Sequence, residues 1–325
     1  MKIIHFLIAF LPPFISNAIR KLLGYKIGKG TKIGYGSVII GKNVVIGSNS
    51  RIGLLTLIQC ETINIGNDTH IGNLCMIKTL KFMTGNYVII NSYNFIVGSF
   101  RKESSFEIGD HSAILNFCWI EPGQGIKIGK RVGVGGFSLL FTHGDWSDYL
   151  KGGPKALGPI EIEDNVWLPW RVFILPNVKI GKDAILGGNS LINKSIPANC
   201  LAGGSPAKII KENILYNLTT EEIELRVAEI IDKFIIYNNE YKPENNRFKV
   251  CYVNNIKKDE LSQSDIVFFL NEPTEYEFEK YKSEKVNILV HSTYTLHIFS
   301  NKDFAFDFAI HIGSFGVRLD RILYL

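Results

Sequence analysis

The sequence predicts a mainly β protein: a parallel β-helix of six-residue repeats over residues 25–211, with a helical segment at 1–24 and a small α/β extension at 212–325. Three observations predict it. An aliphatic residue recurs every six positions between Ile27 and Ile192. It is usually followed by Gly, with a small or turn-forming residue two places further on. After Lys211 the period stops and ordinary helix and strand signals begin. A chain of 325 residues suits one elongated repeat domain with an extension. Hydrophobic residues at 46% against 21% charged leave enough apolar side chains for a sizeable core.

Met1 to Leu11 is apolar, but His5 interrupts it, Pro12-Pro13 follow directly, and it is shorter than the ~20 residues that span a bilayer. Beyond the prolines, Phe14, Ile15, Ala18, Ile19, Leu22 and Leu23 share one helical face, and Asn17, Arg20 and Lys21 the other. Such a helix either caps a repeat domain or lies on a membrane surface. The need to cover the exposed end of a repeat domain favours the cap, and a peripheral membrane contact stays open.

The repeat begins with Ile27 and Ile33 and, after a one-residue slip, continues with Ile40, Ile46, Ile52 and Ile58, then Ile65, Ile71 and Ile77. Ile90, Ile96, a polar Lys102, Ile108, Ile114 and Ile120 follow, then Ile128, Val134 and Leu140, and finally Ile162, Leu168, Ile174, Ile180, Leu186 and Ile192. Six residues suit a strand of about five closed by a sharp turn. Three such units make one flat-sided coil, with the aliphatic residues stacked inward at roughly 4.8 Å. About ten coils are expected. Glycine beside the aliphatic residue, with Gly, Asn or Asp near the bend, provides backbone conformations that bulky residues resist.

The formal charge of +5 comes without a basic run, which gives no footprint for a nucleic-acid groove and leaves weak attraction to anionic ligands or membrane surfaces open. Cys60, Cys75, Cys118, Cys200 and Cys251 are odd in number, far apart and without a CxxC pair. Neither a disulfide framework nor a zinc site is expected, and a reducing cytoplasm fits.

The period breaks between Leu140 and Ile162, where about sixteen extra residues stand. Such an excursion is commonly functional. His143, Asp145, Trp146, Asp148 and Tyr149 form the densest polar and aromatic cluster of the repeat region. Glu121 stands one coil earlier and, like Asp145, also fits as a solvated turn residue.

IGKGTKIGYGSV, and later IEDNVWLPWRVFILPNVKIGKDAILGGNSLINKSIP followed by AGGSPAKII, resemble the bacterial hexapeptide-repeat acyltransferases, close to the galactoside, maltose and surface-polysaccharide O-acetyltransferases. The resemblance covers roughly residues 20 to 211, and its last seventy carry the specific part. It implies left-handed winding of the coil, against the general preference for right-handed crossovers. It also implies an acetyl-CoA-dependent O-acetyltransferase acting on a sugar hydroxyl of a surface polysaccharide or its precursor, assembled as a homotrimer with sites between subunits.

Enzymes of this type carry their catalytic histidine on the coil leading into an extended loop, which is His143 here. A neutral hydroxyl attacks a thioester poorly unless a base removes its proton, and imidazole suits that task. Glu121 and Asp145 are the candidate orienting partners. Asn116-Phe117 resembles a pair that contacts the acceptor, and equally fits an Asn ladder at a coil turn. For CoA, Gly188 corresponds to a small residue beside the pantetheine, Asn193-Lys194 to a Thr-Lys pair near the nucleotide, and Lys208 to a basic residue meeting phosphates. Where the family has a small residue after Asn-Val-Trp, this chain has Trp170, which would narrow the acyl pocket, stack on the cofactor or pack at an interface.

Three alternatives remain: N-acetylation of a nucleotide-linked amino sugar by the same base, a non-catalytic β-helix scaffold, and a zinc site of the γ-carbonic anhydrase kind. The last needs a closely spaced histidine pair, which His70, His111 and His143 do not provide; no metal is expected.

In the extension, Thr219-Thr220-Glu221-Glu222 reads as a capping box opening a helix over about 220–237, with Ile223, Val227, Ile230, Ile231 and Phe234 on one face. Strand-like runs follow at Phe248 to Val253, Ile266 to Leu270 and Val286 to Val290, and Phe304, Phe306, Phe308, Ile310 and Ile312 alternate as a further strand. His291, His297 and His311 have no metal-site spacing.

Overall fold

The computed structural model describes residues 2–144, 148–242, 249–252, 265–269, 272–291, 295–300, 302–313 and 321–324. The chain divides into two compact units, Met1–Tyr216 and Asn217–Leu325.

The first unit is a three-faced prism of parallel strands. Its first face has eight strands, from Lys26–Ile27 to Lys179–Ile180. Its third face has eight, from Val38–Ile40 to Leu191–Ile192. The second has ten, from Lys32–Ile33 to Ala207–Glu212, the last of them antiparallel to its neighbour. Eight complete coils are therefore present rather than ten. On the second face Ile33, Ile52, Ile71, Ile90, Ile114, Val134, Leu168 and Leu186 stack as one buried column. The first face turns two residues per strand inward, as with Ile63 and Ile65, then Phe82 and Thr84, then Phe106 and Ile108.

Two repeat assignments need correction. Ile39, not Ile40, pairs with Ile58 in the third-face column, so the extra residue of each early coil falls at the corner from the third face to the first. A residue added at the corner disturbs no inward column. Lys102 is not a repeat position, because residues 98–104 form a loop at that same corner and Lys102 is exposed. Phe106 and Ile108 resume the core beyond it.

Glycine after the aliphatic residue serves close packing rather than backbone sign. A Cβ on Gly66 would overlap the Gly85 carbonyl one coil away. The left-handed position two residues later holds Gly, Asn or Asp in many turns, as at Gly30, Asn49 and Asp183, and bulky side chains in others, among them Leu74 (φ 54°), Tyr93 (φ 64°) and Phe117 (φ 63°). Their rings extend outward and stack coil upon coil, with Tyr93, Phe117 and Phe137 at 5.0 Å spacings.

Helices α1 (Lys2–Ala9) and α2 (Pro13–Leu22) cover the first coil. α1 buries Ile8 and Ala9. α2 is turned opposite to its sequence pattern: Ser16 and Arg20 are buried while Phe14 and Leu22 are exposed. The reason lies in hydrogen bonds. The Arg20 guanidinium donates to the Ser37 carbonyl oxygen at 2.9 Å and to Ser16 Oγ at 3.0 Å, satisfying bare backbone at the end of the coil, and burial pulls its pKa down to about 10.

In the second unit, α3 (Thr220–Tyr241) starts with the reciprocal Thr219–Glu222 capping box and buries Val227, Ile230 and Phe234. A five-stranded sheet contains Val250–Tyr252, Ile266–Phe269, Asn287–Val290, Thr295–Ile298 and Arg321–Tyr324, in that order. Phe248, Val253 and Leu270, expected in these strands, lie outside the described residues. α4 (Glu275–Ser283) was not anticipated. The alternating run from Phe304 is a helix, α5 (Lys302–Gly313), and not a strand. Phe304, Phe308 and Ile312 are buried because alternation at every second residue also supplies the i, i+4, i+8 spacing of one helical face.

Candidate active site

The corner between the third and first faces gathers every long insertion of the repeat. Twelve residues separate Ile96 from Ile108, eight separate Ile120 from Ile128, and twenty-two separate Leu140 from Ile162. Because successive coils stack in register, these three insertions lie above one another.

His143 follows the third-face strand Leu139–Phe141. The neck of the excursion is closed around it by a bridge between His143 and Leu157, and by Gly144 N donating to the Ala156 oxygen at 2.8 Å and Gly158 N to the Thr142 oxygen at 3.1 Å. Phe141 lies parallel to the imidazole with ring centroids 6.4 Å apart. Strand pairing sets Glu121 beside Phe141. That register brings Glu121 Oε2 to 2.8 Å from His143 Nδ1.

The carboxylate is held from two further directions: Thr142 Oγ1 lies 2.7 Å from Oε2 and Gly123 N donates to Oε1 at 3.0 Å, while Gln124 N fixes the threonine by donating to Thr142 Oγ1 at 3.0 Å. The Glu121 side chain is 14% exposed and that of His143 50%. A carboxylate accepts only, so Nδ1 carries the proton, and in the neutral imidazole Nε2 then presents a lone pair. An open cleft of about 350 Å³ adjoins the ring, large enough for a small ligand. Ser99 and Arg101 line it from the first insertion, Gln124 from the second, and Lys155 and Leu157 from the third.

The structure thus joins His143 and Glu121. Asp145 and Trp146 lie outside the described residues. Asn116 sits at a different corner, between the second and third faces, where its Nδ2 donates to the Ser92 oxygen at 3.2 Å and its Oδ1 accepts from Asn91 at 3.3 Å, the ladder arrangement. Trp170 and Gly188 share that corner; a Cβ on Gly136 would fall 2.6 Å from the Trp170 ring. Asn193 and Lys194 are exposed at the His143 corner, two coils on. Lys208 is exposed in the strand Ala207–Glu212, which follows the cis Ser205–Pro206 turn.

Ser99, Arg101, Thr142, Gln124 and Lys155 were missed in the sequence. The signal that could have found them is the repeated lengthening at one corner, which the Lys102 assignment concealed. His70 is on the second face and His111 at the corner between the first and second. Among the described residues no three or more His, Cys, Asp or Glu side chains form a metal-ligating group.

No family model matches the chain. A Saccharomyces cerevisiae protein provisionally named an acetyltransferase is 33% identical over 138 residues, covering 42% of this chain and 67% of that protein. A Schizosaccharomyces pombe protein of the same provisional name is 48% identical over 89 residues, 27% of this chain and 43% of that one. The galactoside O-acetyltransferase of Lactococcus lactis is 41% identical over 68 residues, 21% of this chain and 33% of its own length. The chain therefore spans between one third and two thirds of these relatives.

Among solved structures, a hexapeptide-repeat-containing acetyltransferase of Vibrio cholerae is 28% identical with TM-score 0.35, covering 41% of this chain and 73% of that one. A UDP-N-acetylglucosamine acyltransferase of Bacteroides fragilis is 20% identical with TM-score 0.47, covering 67% and 81%. With 33% identity across two thirds of the Saccharomyces protein and a three-faced coil of six-residue repeats, the chain belongs to the hexapeptide-repeat acetyltransferases of the left-handed β-helix fold.

Proposed function

We propose that the coil, residues 25–211, transfers acetyl from acetyl-CoA to a sugar hydroxyl of a surface polysaccharide or its precursor. The observation that carries this reading is the Glu121–His143 hydrogen bond at the mouth of an open cleft. Glu121 holds the Nδ1–H tautomer, and Nε2 accepts the proton of the acceptor hydroxyl as its oxygen bonds to the thioester carbonyl carbon. Collapse of the tetrahedral intermediate breaks the C–S bond, and the imidazolium returns the proton to the departing CoA sulfur. Ester and free CoA result, with no acyl-enzyme.

Trp170 and Gly188 stand at one corner of the prism, and His143, Asn193 and Lys194 at another. A single extended CoA would meet both sets where two subunits lie side by side, which supports a homotrimer with sites between subunits. Arg101 and Lys155 add positive charge to the acceptor side, and no acid pairs with either among the described residues. They favour a sugar bearing a carboxylate or phosphate. Because acetyl-CoA is a cytoplasmic metabolite, we place the reaction on the cytoplasmic side of the membrane. The described helices include none long and apolar enough to cross one.

The test is CoA release from acetyl-CoA with neutral sugars, acidic sugars, amino sugars and nucleotide sugars, comparing wild type with His143→Ala. Acceptor-dependent release that drops by about 10²-fold or more in the variant is expected. Release unchanged in the variant would remove His143 as the base, and release with amino sugars alone would replace the hydroxyl by an amine.

A further inference from the structure

The basic excess of the chain is concentrated at one end. Residues 1–60 contain eight Lys and Arg and no Asp or Glu; the first acid is Glu61. In the structure Lys21, Lys26, Lys29 and Lys32 are exposed around the helical end of the prism.

That end also exposes a group of large apolar side chains. α1 turns Phe6 and Leu7 (66% exposed) outward, and Phe10, just beyond its end, is exposed as well. α2 turns out Phe14 (76% exposed) and Leu22 (86% exposed) while burying Ser16 and Arg20. A helix whose apolar stripe served only the core would face the other way. Here polar groups secure the helix to the coil through Arg20, and the apolar stripe is left for another phase.

We propose that the helical end docks on an anionic lipid bilayer. Its apolar side chains enter the boundary between headgroups and acyl chains, and Lys21, Lys26, Lys29 and Lys32 meet lipid phosphates. At 8 and 10 residues the two helices are interfacial elements rather than spans. Self-association through this face would set lysines against lysines, and no acid on the first coil offsets them. The inference stands apart from the assignment of His143, since no residue of the cleft takes part.

The experiment is co-sedimentation of the full chain with vesicles of phosphatidylcholine alone, or mixed with phosphatidylglycerol, at low and high salt. Binding to the mixed vesicles is expected, weakened by salt and by Lys26→Glu with Lys29→Glu. The exposed double variant Leu7→Glu with Phe14→Glu should lower partitioning about tenfold or more, with circular dichroism and light scattering unchanged. Leu22→Glu repeats the test on the most exposed site. The proposal is overturned by absence of binding to the mixed vesicles, or by binding that both apolar variants leave intact. It is equally overturned if those variants dissociate an oligomer instead, which would make a second copy the occupant.

Discussion

Glu121 decides what His143 can do. A histidine on a corner loop would otherwise rotate freely, exchange tautomers and lose the lone pair that faces the cleft. In the proposed mechanism Glu121 acts through the imidazole it contacts, as a positioning residue. Glu121→Ala should lower kcat by about 10- to 100-fold with KM for acetyl-CoA little changed, and Glu121→Gln, which keeps an acceptor for Nδ1–H, should lose less. Equal losses in the two variants would assign Glu121 to the fold through Gly123 and Thr142. Arg101→Ala with Lys155→Ala should raise KM for an acidic acceptor by about tenfold or more and leave neutral acceptors unchanged. A rise in KM for acetyl-CoA instead would assign the two cations to the donor. His143 was legible from its excursion and the motif downstream. Arg101 was not, because its loop falls on a multiple of six and mimics an ordinary repeat with a polar member.

At the scale of the element, one coil is the unit, nineteen residues long in the early coils and eighteen in the last, and its tolerance to change differs by position. The inward column cannot shrink: Phe82→Ala removes a fully buried ring and should cost about 3–5 kcal/mol in chemical denaturation. The glycine next to the column cannot grow, so Gly66→Ala should destabilise by more than about 1 kcal/mol through contact with the Gly85 carbonyl. Neutral behaviour of Gly66→Ala would show that coils separate more easily than their packing indicates. The six-residue period was readable because turn and column recur together. The coil count was not, because a six-residue period does not say at which corner the odd residue is inserted. In the second unit, Phe304 to Ile312 misled for a related reason: alternate residues contain a helical face as well as a strand face, and only burial separates them.

At the scale of the whole molecule, the column seals the thiols it contains. Burial pushes the Cys60 thiol up to about 12 and that of Cys118 up to about 11, both far above an exposed cysteine near 8.5. Alkylation at pH 8 followed by mass spectrometry should leave both unmodified in the native protein and modify both in denaturant. The unfolded chain gives up these protons first, so their contribution to stability is intact below about pH 8.5 and declines as pH rises toward 11 and beyond. A Tm that holds constant to pH 10.5 would contradict that burial. Light scattering should give three times the chain mass, and a monomer would break the intersubunit cofactor groove. The sequence by itself determined the repeat, its inward column and the excursion carrying His143, because periodic burial imposes a periodic composition. It also contained the acid-free first sixty residues, a feature of composition that gains meaning beside exposed apolar helices. Only the tertiary structure decided which insertions share a corner, that Glu121 reaches His143, and that α2 turns its apolar side outward. Each of these depends on register between coils or on hydrogen bonds to distant backbone, which no local pattern records.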